Sequence, residues 1–164
     1  MATPTNLPAS FTVGQVLTAA QMNGIRGAFR ILQVLQMETS TLVSNASSTF
    51  VASGLSLSIT PQATTSKILV LANSSIAKTG ANVSNGVNLR VRRGSTVLQS
   101  QNALLFTGTG IVNIGTATMM VLDSPSSISS ITYDVQFANF VNASAVEHNA
   151  NGSASSLVLM EISA

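Results

Sequence analysis

Thr49-Phe50-Val51-Ala52-Ser53-Gly54-Leu55-Ser56-Leu57-Ser58-Ile59-Thr60-Pro61 is the stretch whose reading decides the fold. Leu55, Leu57 and Ile59 alternate with serines. That is the two-residue period of a strand with one face buried and one wet. Gly54 interrupts it as a bulge or bend, and Pro61, with no N–H to give to a ladder, closes it. Working outward, Val87-Asn88-Leu89-Arg90-Val91-Arg92, Ile131-Thr132-Tyr133-Asp134-Val135-Gln136-Phe137 and Leu157-Val158-Leu159-Met160-Glu161-Ile162 alternate in the same way. Lys67 to Ala77 contains a continuous apolar run that reads as a buried strand. Thr96 to Gln99 follows a Gly94-Ser95 turn, and Ile111 to Leu122 ends at Asp123-Ser124-Pro125. Ile31 to Met37 alternates imperfectly and is compatible with either a strand or a continuing helix. Seven or eight strands separated by Gly, Ser, Asn and Pro predict an antiparallel β-sandwich or jelly roll, an all-β fold. No helical pattern lies between them, which argues against a parallel βαβ sheet, and no internal repeat is seen.

The first 30 residues read differently. Pro4, Pro8 and Gly14 mark an extended arm to about residue 16. Thr18 and Gln21 then have capping-box spacing, with Leu17 and Met22 placed for a hydrophobic staple. Met22, Ile25 and Phe29 share one helical face, and Arg26 and Arg30 another. Gly24 and Gly27 weaken this helix by about 1 kcal/mol each relative to alanine, so it needs a surface to pack on. The expected organisation is residues 1–30 as an arm and short helix for anchoring and oligomerisation, and 31–164 as the β head.

Of the 164 residues, 45 % are hydrophobic and only 7 % charged, against roughly 25 % charged in ordinary soluble domains. Ser, Thr and Asn supply about a third of the chain, a composition suited to strands and turns. A surface with so few charges is poorly guarded against association, so an oligomer is expected. Seven Lys and Arg against five Asp and Glu give a net charge of +2, too small an excess to imply nucleic acid. There is no cysteine, hence no disulfide framework. No apolar run is long enough to span a bilayer, and the first residues carry no secretory signal pattern. Neither nucleic acid nor membrane is an expected partner.

An active site needs converging titratable groups, and few are available. His148 is the only histidine; it reads as a solvated loop residue, too isolated for a triad with Asp123 or Asp134. Glu147-His148 lacks further ligands for a transition metal. The spacing of Glu38, Asp123, Asp134, Glu147 and Glu161 places no two together as a glycosidase pair. Asp123, before Ser124-Pro125, reads as a turn acid bonding its own backbone. Arg90 and Arg92 alternate onto one strand face and read as a solvated outer surface, with Arg93 in the following turn. No aromatic stacking platform stands near them, and Gly108-Thr109-Gly110 is a turn without a phosphate-loop lysine. The chain is expected not to be an enzyme and to carry no catalytic residue, metal or cofactor.

Val13-Gly14-Gln15-Val16-Leu17-Thr18-Ala19-Ala20-Gln21-Met22-Asn23 resembles a segment near the start of many phage fibre and other virion proteins. From Ile31 onward the order of landmarks resembles a β-sandwich module of environmental phage particles. These are Ser48 to Val51, Gly54 to Pro61, Thr65 to Val70, Arg93 to Thr96, Leu122 to Pro125, Ile131 to Tyr133 and Glu161-Ile162. The resemblance implies a trimeric jelly-roll-like head behind a short anchor, and carries no catalytic residue. Phe11, Val16, Leu17, Met22, Ile25 and Phe29 are the candidate anchor and oligomer contacts. The expected function is a virion structural protein, a capsid decoration (cement) protein or short head fibre. Its partners would be itself as a homotrimer and the major capsid protein or another virion protein. The alternative is a short tail or collar fibre binding a host surface glycan through the loop Asn139 to Gly152. The short N-terminal part, about 30 residues at no more than ~3.5 Å each, gives little reach and favours the first reading.

Overall fold

A computed structural model describes residues 13, 14, 16–19, 22, 31–79, 84–141 and 144–163. Among the described residues ten strands follow in chain order: β1 Ile31–Thr39, β2 Val43–Asn45, β3 Val51–Ile59, β4 Lys67–Lys78, β5 Asn85–Arg93, β6 Thr96–Thr107, β7 Asn113–Asp123, β8 Ile131–Asn139, β9 Val146–His148 and β10 Ser155–Ile162. They form two antiparallel sheets. The larger runs β1-β10-β4-β9-β2, with β7 on the other side of β4; the smaller runs β3-β8-β5-β6. This is the all-β antiparallel sandwich expected from the alternation.

The core lies between the sheets, and the period-two rule decides who enters it. Leu55 and Ile59 from β3, Ile68, Val70 and Ala72 from β4, Val87, Leu89 and Val91 from β5, Tyr133, Val135 and Phe137 from β8, and Leu157 and Leu159 from β10 are all buried. Fully burying a side chain such as Phe137 contributes roughly 1.5–3 kcal/mol.

Gly54 does what its position suggested. Ala52 pairs Gln136 and Ser56 pairs Asp134, so three residues of β3 stand opposite Val135 alone. Gly54 absorbs the distortion at φ +91°, and Ser53 Oγ donates to the Val135 carbonyl at 2.8 Å. Two extra residues preserve the side-chain phase, so Val51, Leu55, Leu57 and Ile59 all turn inward.

Some elements differ from expectation. Ile31–Thr39 is a strand, pairing along nearly its whole length with β10. The three-residue strands β2 and β9 were not foreseen, being too short to show a period. Strand β6 runs on to Thr107 and is heavily bulged, with Ala103 and Leu105 at φ 56° and 53°. Left-handed backbone costs an L-residue roughly 1–2 kcal/mol. Part of the return is visible: Ala103 N–H reaches Asn88 Oδ1 at 3.0 Å. The bulges also break up the exposed edge of the smaller sheet, where another strand could add.

The bulged strand demands glycine beside it. A Cβ at Gly86 would lie 2.9 Å from the Leu104 carbonyl oxygen and 3.1 Å from the Ala103 carbonyl carbon. These are backbone atoms that no rotamer change can move. Gly86→Ala is therefore expected to cost about 1–3 kcal/mol. Chemical denaturation checks it, and an unchanged midpoint would show that β6 yields.

Candidate functional site

Most charged and titratable side chains of the head hold the fold together. Asp123, at the end of β7 in the larger sheet, is buried. It accepts from Arg93 of β5 at 2.8 and 2.7 Å and from the Tyr133 hydroxyl of β8 at 2.7 Å. One carboxylate thus ties the larger sheet to two strands of the smaller. Burial, and then the bond to Asp123, push the Tyr133 phenol well above its ordinary range. This corrects two expectations. Asp123 is an inter-sheet tie, not a turn acid bonding its own backbone. Arg93 belongs to β5, not to the following turn.

Arg90 and Arg92 do share the outer face of the smaller sheet, but each is engaged. Arg90 donates to Gln136 Oε1 at 2.9 Å and lies 4.0 Å over the Phe50 ring. Arg92 pairs with Asp134 at 2.9 Å. Beside Arg93 lies an open groove of about 360 Å³ lined by Gly94, Pro125, Ser127, Ser130, Ile131 and Thr132. The guanidinium on its rim is already committed to Asp123.

Lys78 is wholly buried at the far end of β4. Its ammonium donates to the carbonyls of Gly108 at 2.8 Å and Ile111 at 2.9 Å, which organises the turn between β6 and β7. Glu161 is buried as well. It accepts from the Gln62 backbone N–H at 2.6 Å and from Gln33 Nε2, clasping β1 and the loop after β3. Burial opposes its charged form, but the hydrogen bonds around the carboxylate, from Ser66, Gln33 and the backbone of Gln62 and Ala63, outweigh that and hold the carboxyl below the usual carboxylate range.

His148 is the largest departure from the sequence reading. It is no solvated loop residue: it lies in β9, fully buried, with its ring 5.7 Å from that of Phe137. Neither ring nitrogen meets a hydrogen-bond partner among the described residues. Burial pushes its pKa down to about 4, so the ring is neutral at pH 7. Nor is Asn139 to Gly152 a loop throughout: it contains β9, while Phe140, Val141, Asn151 and Gly152 are exposed. Asn139 and Asn149 are buried. Asn85 donates to Asn139 Oδ1 at 2.7 Å, and Asn149 donates to Thr41 O at 3.0 Å while accepting from Ser155. Among the described residues no three His, Cys, Asp or Glu cluster where they could hold a metal.

The candidate anchor contacts are only partly in view. Phe11, Ile25 and Phe29 lie outside the described residues. Val16, Leu17 and Met22 are exposed. The Met22 N–H donates to the Thr18 carbonyl at 3.0 Å; the remainder of the expected helix, residues 23–30, lies outside the described residues. Gln21 of the capping box lies outside the described residues.

The two outer faces of the sandwich differ in kind. On the smaller sheet, Ser56, Asp134 and Arg92 stand in register, and Ala52, Gln136, Arg90 and Ser100 form the next row. On the larger sheet, Val34, Met160, Leu69 and Leu122 stand side by side across β1, β10, β4 and β7. Gln36, Val158, Leu71 and Met120 form the adjoining row. Val34 and Leu122 are each 52 % exposed and Met120 62 %. The sequence contained a signal for this face. Ile68-Leu69-Val70-Leu71-Ala72 and Met119-Met120-Val121-Leu122 are apolar at consecutive positions, which in a strand means apolar on both faces.

No protein family's model matches the chain, and no curated protein matches it. Among solved structures it is similar to the VP2 subviral particle of infectious bursal disease virus at 14 % identity, over 80 % of this chain and 37 % of that one, with a TM-score of 0.42. The T13 particle of the same virus is similar at 12 % identity, over 80 % and 36 %, with a TM-score of 0.40. This chain therefore spans little more than a third of those chains.

Proposed function

We propose that this protein is a structural component of a virus particle, a decoration protein or short head fibre of a phage capsid that acts by contact and not by catalysis. The observation that carries this reading is where the chain spends its polar and apolar side chains. Asp123, Glu161, Lys78 and His148 are buried and serve the fold, while large apolar residues such as Val16, Met22, Val34, Met120 and Leu122 are left on the surface. A chain built to associate leaves apolar surface outside; contiguous patches of this kind mark interaction sites. Residues 1–30 are the proposed attaching segment and the β head the part that spans neighbouring subunits. Added apolar contact between capsomers would resist the outward pressure of packaged nucleic acid.

The copy number relative to the major capsid protein in purified particles tests this. A large fraction, approaching one to one, is expected. A few copies per particle would favour the tail or collar fibre instead, and absence from particles would end the reading. A chain beginning at residue 31 is expected to keep its β-rich circular dichroism and to stop co-purifying with particles. Undiminished co-purification would refute the anchor assignment.

A further inference from the structure

We infer that the outer face of the larger sheet, across β1, β10, β4 and β7, is the contact surface between copies of this chain. Its centre is the two rows containing Val34, Leu69, Met120 and Leu122, apolar throughout except for Gln36 at the β1 edge. Half-buried Val158 and Met160 fill the space between the exposed residues of the edge strands β1 and β7. Four strands at about 4.8 Å spacing and eight residues at about 3.3 Å each make a plane of roughly 500 Å² before side-chain relief is counted. That is the order of the roughly 800 Å² per partner that a stable interface needs. The apolar part of that plane is on the scale of the largest patch an ordinary monomer carries, a patch that often marks an interaction site.

Charge placement identifies the occupant as a second copy. Glu38 and Lys67 are exposed and share the phase of the apolar rows, Glu38 opposite Ser156 and Lys67 opposite Ile162. They bound the patch at opposite ends and carry opposite signs. A copy of the same face, turned end for end, meets apolar residues with apolar residues and brings Glu38 towards Lys67. The smaller sheet offers no such surface, because its arginines and acids are already paired with one another or with Gln136. This inference goes beyond the proposed role in a particle and does not depend on it.

The test is the mass of the full chain in solution at tens of micromolar, by light scattering after size exclusion, with methionine oxidation as a second readout. The wild-type chain is expected to run at a multiple of 16.9 kDa. Met120→Glu and Val34→Glu, at positions whose side chains touch little in the monomer, are each expected to reduce it to one copy with unchanged circular dichroism. Ala52→Glu, on the outer face of the smaller sheet, should leave the multiple intact. Met120 should resist peroxide in the assembled protein and react after dilution to the single chain. A monomeric wild type overturns the inference, and so does an oligomer that both variants leave whole. A single chain in which Met120 is nonetheless protected also overturns it, because the cover would then be another part of the same chain. None of these results changes the copy number in particles, so the two readings fail separately.

Discussion

Asp123→Ala lowers the unfolding free energy by about 2–4 kcal/mol. Breaking a buried ion pair costs roughly 3–5 kcal/mol because the remaining partner stays buried without compensation. The Arg93 side chain is 28 % exposed, so water recovers part of its loss. Tyr133 is wholly buried and recovers little. At this chain length such a change moves the melting temperature by roughly 2–4 °C per kcal/mol. Tyr133→Phe removes only the hydroxyl and is expected to cost about 1.5–3 kcal/mol, since its bond is to a charged group. Because both changes act on one carboxylate, the double variant should lose less than the sum. Full additivity in urea titrations of the four proteins would show that Asp123 does not couple the sheets through Tyr133.

Acidification from pH 6.5 to 4 removes about 3 kcal/mol of stability through His148 alone. Its folded pKa is lowered to about 4 by burial, whereas in the unfolded chain it titrates near 6.5. Between these values the unfolded state binds a proton that the folded state does not, so stability falls as the pH falls through that window. The slope fades above pH 6.5 and is essentially gone by about pH 7.5, where the ring is neutral in both states. Glu161 acts in the same direction but lower: its depressed carboxyl gives stability that is lost as the pH falls through its folded value, below the usual carboxylate range. His148→Leu leaves no ring to protonate beside Phe137. It should flatten the stability profile between pH 4 and 6.5 while costing little at pH 7. The same slope in wild type and variant, followed by denaturation at half-unit pH steps, would assign the acid sensitivity elsewhere.

These two residues also mark where reading along the chain stops working. Asp123 stands before Ser-Pro, where an acid commonly bonds its own turn, and nothing local says that Arg93 and Tyr133 of the other sheet will reach it. His148 lies among Asn, Gly and Glu, the composition of a solvated loop, yet β4 pairs with it through Ile76 and Phe137 lies against its ring. Three residues are too few to display a period, so β9 is invisible until β4 and β2 pair with it. In β6 the pattern fails because left-handed Ala103 and Leu105 shift the phase within the strand.

The sequence by itself determined the sandwich class, the Gly54 bulge, the stop at Pro61 and the inward sets of β3, β5, β8 and β10. Alternation, glycine freedom and the missing proline N–H are local properties of a pleated backbone, legible one segment at a time. It also carried the apolar-on-both-faces signal of β4 and β7. Only the tertiary structure decided which strands became neighbours. That order aligned Val34, Met160, Leu69 and Leu122 into one row, gave Asp123 its two partners, and enclosed Lys78, Glu161 and His148. Strand neighbours are chosen by the summed burial of residues far apart in the chain, and a pattern confined to one segment holds no record of that sum.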